Sequence, residues 1–331
     1  MSKPTRIAAA LAAALLFGLA CRERAAAPVA APPSQFDAAR AFRDLEALVR
    51  IGPRPAGSAG AAEARALIRD RLRQAGWLVE AHDFRVPRAA GAPVAMTNLI
   101  ARRSSHEAAP RTLVVTHYDT KNIPGVAFVG ANDGASGAAV LLEVARTLAS
   151  DEPPPPIELV FFDGEEAFGE SITADDGLYG SKALAQRMAD DGSLAQVAAV
   201  VEVDMVGDRD LNLALDMRSS PALIKSFETA AAKLGLPPPF DPQQALGVID
   251  DHTPFQDLGV AEVLALIDFQ YGARESPGPR WHTADDTLEA VSADSLNSVG
   301  KTLVEALRSL AAVRPASPRS PTAPDPGRHV R

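Results

Sequence analysis

The sequence predicts an α/β fold with three layers, αβα, around a mostly parallel, mixed central sheet. Three observations carry that prediction. Short, mainly apolar runs at Thr112–Thr116, Ile157–Phe162, Val197–Val203 and Val263–Ile267 read as strands buried on both faces. Segments with helical spacing separate them, and such alternation produces parallel pairing with helices on either side. The runs also lead into acidic residues or histidine beyond their carboxyl ends, where sheets of this kind bind ligands.

The elements follow in order. Residues 36–50 (FDAARAFRDLEALVR) have helical spacing, ended by Gly52-Pro53-Arg54-Pro55. A second helix covers 61–75 and closes at Gly76. Trp77–Val86 and Thr97–Ala101 read as strands, followed by Thr112–Thr116. Ser136–Ala149 is helical, and prolines at 153–156 break the chain before the strand Ile157–Phe162. Helices over 178–189 and 222–234 flank the strand Val197–Val203. The strand Val263–Ile267 and a closing helix over 292–312 complete the chain.

With 331 residues, 47% of them hydrophobic, the chain is long enough for one sizeable core, and residues 36–313 are expected to form a single catalytic domain. Lys and Arg number 33 against 42 Asp and Glu, a net charge of −9 that argues against a nucleic-acid partner. Lys3 and Arg6 precede an apolar run, Ile7–Ala20, too short to span a bilayer, so residues 1–20 read as a signal peptide. Leu19-Ala20-Cys21 resembles the end of a bacterial lipoprotein signal, although Gly18 stands where that pattern prefers Leu. The expectation is an exported protein anchored by lipid at Cys21, periplasmic or on the cell surface, or otherwise secreted. Cys21 is the sole cysteine, so no disulfide supports the fold. Residues 21–35 are an Ala/Pro-rich tether and 314–331 a disordered tail. A monomer is expected, touching membrane through the lipid alone.

The chemistry gathers at the strand ends. Thr112–Thr116 runs into His117-Tyr118-Asp119, Ile157–Phe162 into Asp163-Gly164-Glu165-Glu166, and Val197–Val203 into Asp204. A loop after Val263–Ile267 reaches Trp281-His282, and Asp133 stands just before a helix. His117, Asp133, Glu166, Asp204 and His282 offer N and O donors, a set that suits zinc better than manganese or cobalt. Asp119 reads as a carboxylate that orients a neighbour. Glu165 adjoins a candidate ligand, so one carboxylate can hold metal while the other moves protons. Each residue also has a plainer reading: Asp133 as a helix cap, the Glu pair as a solvated face, Trp281 as core, His252 as a buried hydrogen-bonding group, His106 and His329 as surface. The joint pattern favours a metal site.

The order of motifs resembles the zinc-dependent peptidase family M28, and within it the glutaminyl-peptide cyclotransferases. The matching segments are THYDTK (116–121), GANDGASGAAVLLEVARTL (130–148), LVFFDGEEAF (159–168), DGLYGSKALA (176–185), VEVDMVG (201–207), DDHTPF (250–255) and WHTADDT (281–287), spread over roughly residues 40 to 312. The resemblance implies a zinc-exopeptidase-like fold acting on peptide or protein N-termini. For a cyclotransferase it implies one zinc on Asp133, Glu166 and His282, with Glu165 as general acid/base. Asp250 and Asp204 would form a catalytic hydrogen-bond network, and Trp281 would line the substrate pocket. For the alternative, an M28 aminopeptidase, it implies two zincs, with His117 and Asp204 joining the ligands and Asp133 as the bridge. The insertion after GEEAF, Asp250 in DDHTPF, and Trp281 before His282 lean towards the cyclotransferase. Two departures concern the pocket: Gly169-Glu170-Ser171 stands where animal cyclotransferases carry a tryptophan, and Asp268–Arg280 matches weakly.

Overall fold

The computed structural model describes residues 35–88, 91–103, 110–152 and 154–312. The signal peptide, the tether up to residue 34, the tail, His106 and His329 lie outside the described residues. Among the described residues no helix is long and apolar enough to cross a membrane.

Helix α1 (Ala38–Ile51) starts where the Asp37 side chain accepts the Arg40 N–H, and stops at Gly52, whose φ of 88° suits glycine. Helix α2 (Ala59–Gln74) is capped in the same way by Ser58. Strands β1 (Leu78–Val86) and β2 (Val94–Arg102) form an antiparallel pair. Then come β3 (Arg111–His117), α3 (Ala135–Leu148), β4 (Ile157–Phe162), α4 (Tyr179–Asp190) and β5 (Val197–Asp204). Next are β6 (Leu213–Asp216), α5 (Pro221–Lys233), β7 (Phe240–Leu246), α6 (Thr253–Asp257), β8 (Val263–Ile267) and α7 (Ala293–Ala312).

The main sheet has the order β1-β2-β4-β3-β5-β8. Strands β4, β3, β5 and β8 are parallel, and β2 joins antiparallel to β4. The sheet is therefore mixed but mostly parallel, as the sequence predicts. Alternate strand residues serve different cores. Val114, Leu159, Phe161, Val201 and Leu264 pack into one cluster with residues of α1, α2, α3, α5 and α7. Leu113, Val115, Val160, Phe162 and Val263 pack into another with Leu184, Ala185 and Met188 of α4 and Phe255 of α6. Helices on both faces explain why these strands carry no polar alternation.

The sequence reading did not include β6, β7 or α6. β6 is four residues long, β7 (FDPQQAL) is polar with a proline inside, and α6 spans five residues, so none shows a readable period. β6 and β7 form a separate two-stranded parallel sheet.

Helix α3 lies against the sheet because Gly137 permits it. A Cβ there would meet the Val203 carbonyl oxygen at 2.2 Å and Thr116 Oγ1 at 2.3 Å. That close approach brings the start of α3, with Asp133 just ahead of it, to the carboxyl edge of β3 and β5.

Candidate active site

Adjacent parallel strands bring their carboxyl ends together, and the side chains chosen from sequence meet there. Asp133 is the centre. Its Oδ1 lies 3.3 Å from His117 Nε2, and its Oδ2 lies 3.4 Å from His282 Nε2. On one side His117 Nε2 also faces Asp204 Oδ1 at 3.0 Å. On the other His282 Nε2 faces Glu166 Oε1 at 3.2 Å. The result is two groups sharing Asp133, His117–Asp133–Asp204 and Asp133–Glu166–His282, each with ligand atoms within 4.8 Å of one another. Asp133 Oδ2 and Glu166 Oε1 are buried without a hydrogen-bond partner. Buried carboxylate oxygens left open beside an imidazole nitrogen fit a divalent cation with N and O ligands.

The surroundings fix these groups. Asp119 accepts the backbone N–H of Glu165 (3.1 Å) and of Glu166 (3.4 Å), and its Oδ1 stands 3.6 Å from His117 Nδ1. It thus orients three neighbours, in keeping with the reading from sequence. Lys121 donates to the Ala167 carbonyl and lies 3.6 Å from Glu166 Oε2. His282 has φ 54° and Met205, directly after Asp204, has φ 48°, a left-handed backbone that β-carbon sterics disfavour and the surrounding packing must impose.

Three further buried groups escaped the sequence reading. Asp286 accepts the N–H of Asn132 (2.7 Å), the N–H of Asp133 (3.1 Å) and the Tyr271 hydroxyl (2.6 Å), tying the Asp133 loop to the segment that carries His282. Its place in WHTADDT was the available signal. Arg54, fully buried, donates to the carbonyls of Tyr118, Val129 and Gly130 and so holds the loops after β3 and before α3. Nothing local to Gly-Pro-Arg-Pro announces that role. Glu202 is buried in the middle of β5, and a charge inside an apolar run was a signal left unread.

Burial dominates the electrostatics. It raises the Glu165 carboxyl well above its ordinary value, despite the opposing influence of His117. It also raises Glu166, Asp204 and Asp250. Burial works against ionisation of Asp133 too, but His117 and His282 outweigh it and hold that carboxyl below its usual range. His282 shows the converse: burial disfavours its cation, yet Asp133 and Glu166 push its pKa up to about 9. Burial makes the Glu165 carboxyl hold a proton more readily than a solvated carboxylate does, a property that general acid/base work uses.

These groups open into a cavity of about 400 Å³ whose wall includes Asp133, Glu165, Glu166, Asp204, Asp250 and His282. The Trp281 ring stacks on His282 with centroids 3.8 Å apart; it lines the cavity and also packs against the cluster that holds Met205, Ile267 and Tyr271. Ser171 and Ile172 contribute from the insertion after the Glu pair, and Phe269 and Ser276 from the weakly matching segment. Asp176 closes the insertion by accepting the N–H groups of Phe168 and Gly169 and the Tyr179 hydroxyl. His252, buried, faces Glu202, in line with its reading as a hydrogen-bonding group.

A mostly parallel sheet whose carboxyl edge gathers carboxylates and histidines around a cavity defines an α/β protein with a candidate metal site in its active-site pocket. The sequence profile of Peptidase family M28 matches residues 98–307. The glutaminyl-peptide cyclotransferase of Boiga irregularis is 32% identical over 286 residues, covering 75% of this chain and 74% of its own. The crystal structure of an Acidobacteriales bacterium glutaminyl cyclase is 36% identical with a TM-score of 0.78, covering 86% of this chain and 98% of that one. A Zn-dependent exopeptidase from Parabacteroides distasonis, 23% identical with a TM-score of 0.73 over 83% of this chain and 99% of its own, shares the fold. The chain belongs to peptidase family M28, in its glutaminyl-peptide cyclotransferase branch.

Proposed function

We propose that this chain is a zinc-dependent glutaminyl-peptide cyclotransferase, converting N-terminal glutamine of peptides or proteins to pyroglutamate with release of ammonia. The observation that carries this reading is the pocket itself: Glu165 and Asp250 share a wall with the Asp133–Glu166–His282 set, and Trp281 is stacked over His282. Relatives at 32% and 36% identity that bear the cyclotransferase or cyclase name support it over the aminopeptidase alternative.

Asp133, Glu166 and His282 would hold one zinc. When bound, the metal supplies Lewis-acid polarisation of the glutamine side-chain carbonyl. The free α-amine and that carbonyl belong to one molecule, so proximity is already present and the pocket has only to select the folded-back conformer. Glu165 takes a proton from the attacking amine and returns it to the departing ammonia. Asp250 accepts a hydrogen bond from the amide nitrogen while the bond to it breaks, with Asp204 behind. After burial, the charge of Asp204 is the largest influence raising the Asp250 carboxyl. Trp281 forms the aromatic wall against which the glutamine side chain lies.

Export follows from residues 1–21, with lipid at Cys21 as the anchor. Titration of chelator-stripped protein with zinc tests the catalytic reading. Ammonia release from a Gln-Xaa dipeptide is expected to saturate at one equivalent. A requirement for two equivalents, or no ammonia at any, contradicts it.

A further inference from the structure

Glu202 is a carboxylate in the interior of a strand buried on both faces, 1% exposed. Its oxygens are nonetheless engaged. Oε1 accepts the Asp251 N–H at 2.9 Å, and Oε2 lies 2.5 Å from His252 Nδ1. The other nitrogen of His252, itself fully buried, lies 3.7 Å from Asp216 Oδ2. Asp216 ends β6 and accepts the N–H groups of Arg218 and Val248 and the Ser219 hydroxyl. At the other end of this line the Asp251 N–H is shared with Asp250 Oδ1 at 2.7 Å. Carboxylate oxygens of Glu202, Asp250 and Asp251 lie within 4.8 Å of one another. Both oxygens of Glu202 and one of Asp250 face ring or backbone nitrogens, whereas both carboxylate oxygens of Asp251 are buried without a hydrogen-bond partner.

We propose that Glu202 and His252 are positioning residues for the cyclisation: paired with each other behind Asp250, and joined to it through the Asp251 N–H that Glu202 and Asp250 share, they fix the face it turns to the pocket beside Glu165. The proposal rests on the cyclotransferase reading above. It gives a reason for a charge inside an apolar strand, which packing alone would disfavour. It also brings the small β6–β7 sheet close to the reacting groups, because Asp216 accepts the N–H of Val248, which lines the pocket, and stands 3.7 Å from His252 Nε2.

The test compares Glu202→Gln with Glu202→Leu in the zinc-loaded full chain, measuring kcat and KM for a Gln-Xaa dipeptide, bound zinc and thermal midpoint. Misplacement of a reacting group by about 1 Å costs on the order of 100-fold in rate. The Leu variant is expected to lose about 10- to 100-fold in kcat, with KM and zinc content within about twofold of the parent. The Gln variant keeps an acceptor and a donor in place and is expected to retain most of kcat. If Glu202→Leu does not fold, His252→Asn, which preserves a polar group near Nδ1, is compared with His252→Leu on the same readouts. A folded Leu variant at either position with parental kcat overturns the proposal. So does a loss shared equally by kcat and zinc content. A parent chain that releases no ammonia from Gln-Xaa instead overturns the cyclotransferase reading, and the proposal with it.

Discussion

The backbone N–H of Glu165 is tied to the Asp119 carboxylate, while its carboxyl faces the cavity with His117 Nδ1 4.0 Å from Oε2. Glu165→Gln keeps the shape and removes the titrating group. Its kcat for Gln-Xaa is expected to fall by about 10²- to 10⁴-fold with bound zinc unchanged. Near-parental turnover in this variant would take Glu165 out of the mechanism. At this scale the convergence of His117, Asp133, Glu166, Asp204 and His282 was legible in the sequence, because Asp, Glu and His delivered by successive apolar strands have few uses other than a shared site. Asp286, Arg54 and Glu202 were not. They act on backbone groups or on buried partners remote in sequence, such as Asn132 for Asp286 and Val129 for Arg54, and a linear pattern does not reveal such pairs.

Among the elements, α3 decides where Asp133 stands, and Gly137 decides how close α3 comes. Gly137→Ala would improve intrinsic helix propensity yet drive a methyl group into the Val203 carbonyl oxygen. The expected outcome is a loss of stability of at least about 1–3 kcal/mol, read from denaturant unfolding. A neutral or stabilising effect would mean that the helix–sheet distance is not set here. Element positions were otherwise readable to within a few residues where apolar periodicity was strong, as in β8, which spans Val263–Ile267 as expected. The pocket-shaping pieces were not, because β7, the insertion closed by Asp176 and the segment before Trp281 owe their form to hydrogen bonds and turns rather than to a hydrophobic period.

For the whole molecule, the fold holds buried carboxyls beyond those that face the site. Asp268, just past β8, is pushed up to about 7 by burial, with the N–H groups of Asn212 and Gln270 opposing. Its value in the unfolded chain is near 3.8, so between those two values the native state binds more protons than the unfolded state. This group's contribution is therefore present at acidic pH and lost as pH rises towards 7. Asp268→Asn is expected to flatten that part of the stability–pH curve, although one N–H loses an acceptor. An unchanged slope would show that Asp268 does not titrate in this window.

The central claim is that the site cyclises rather than hydrolyses. Product masses from an equimolar mixture of a Gln-Xaa and a Leu-Xaa dipeptide, incubated with the zinc-loaded chain, test it most directly. The account predicts loss of ammonia from Gln-Xaa and an intact Leu-Xaa. Release of free leucine with Gln-Xaa uncyclised would contradict it.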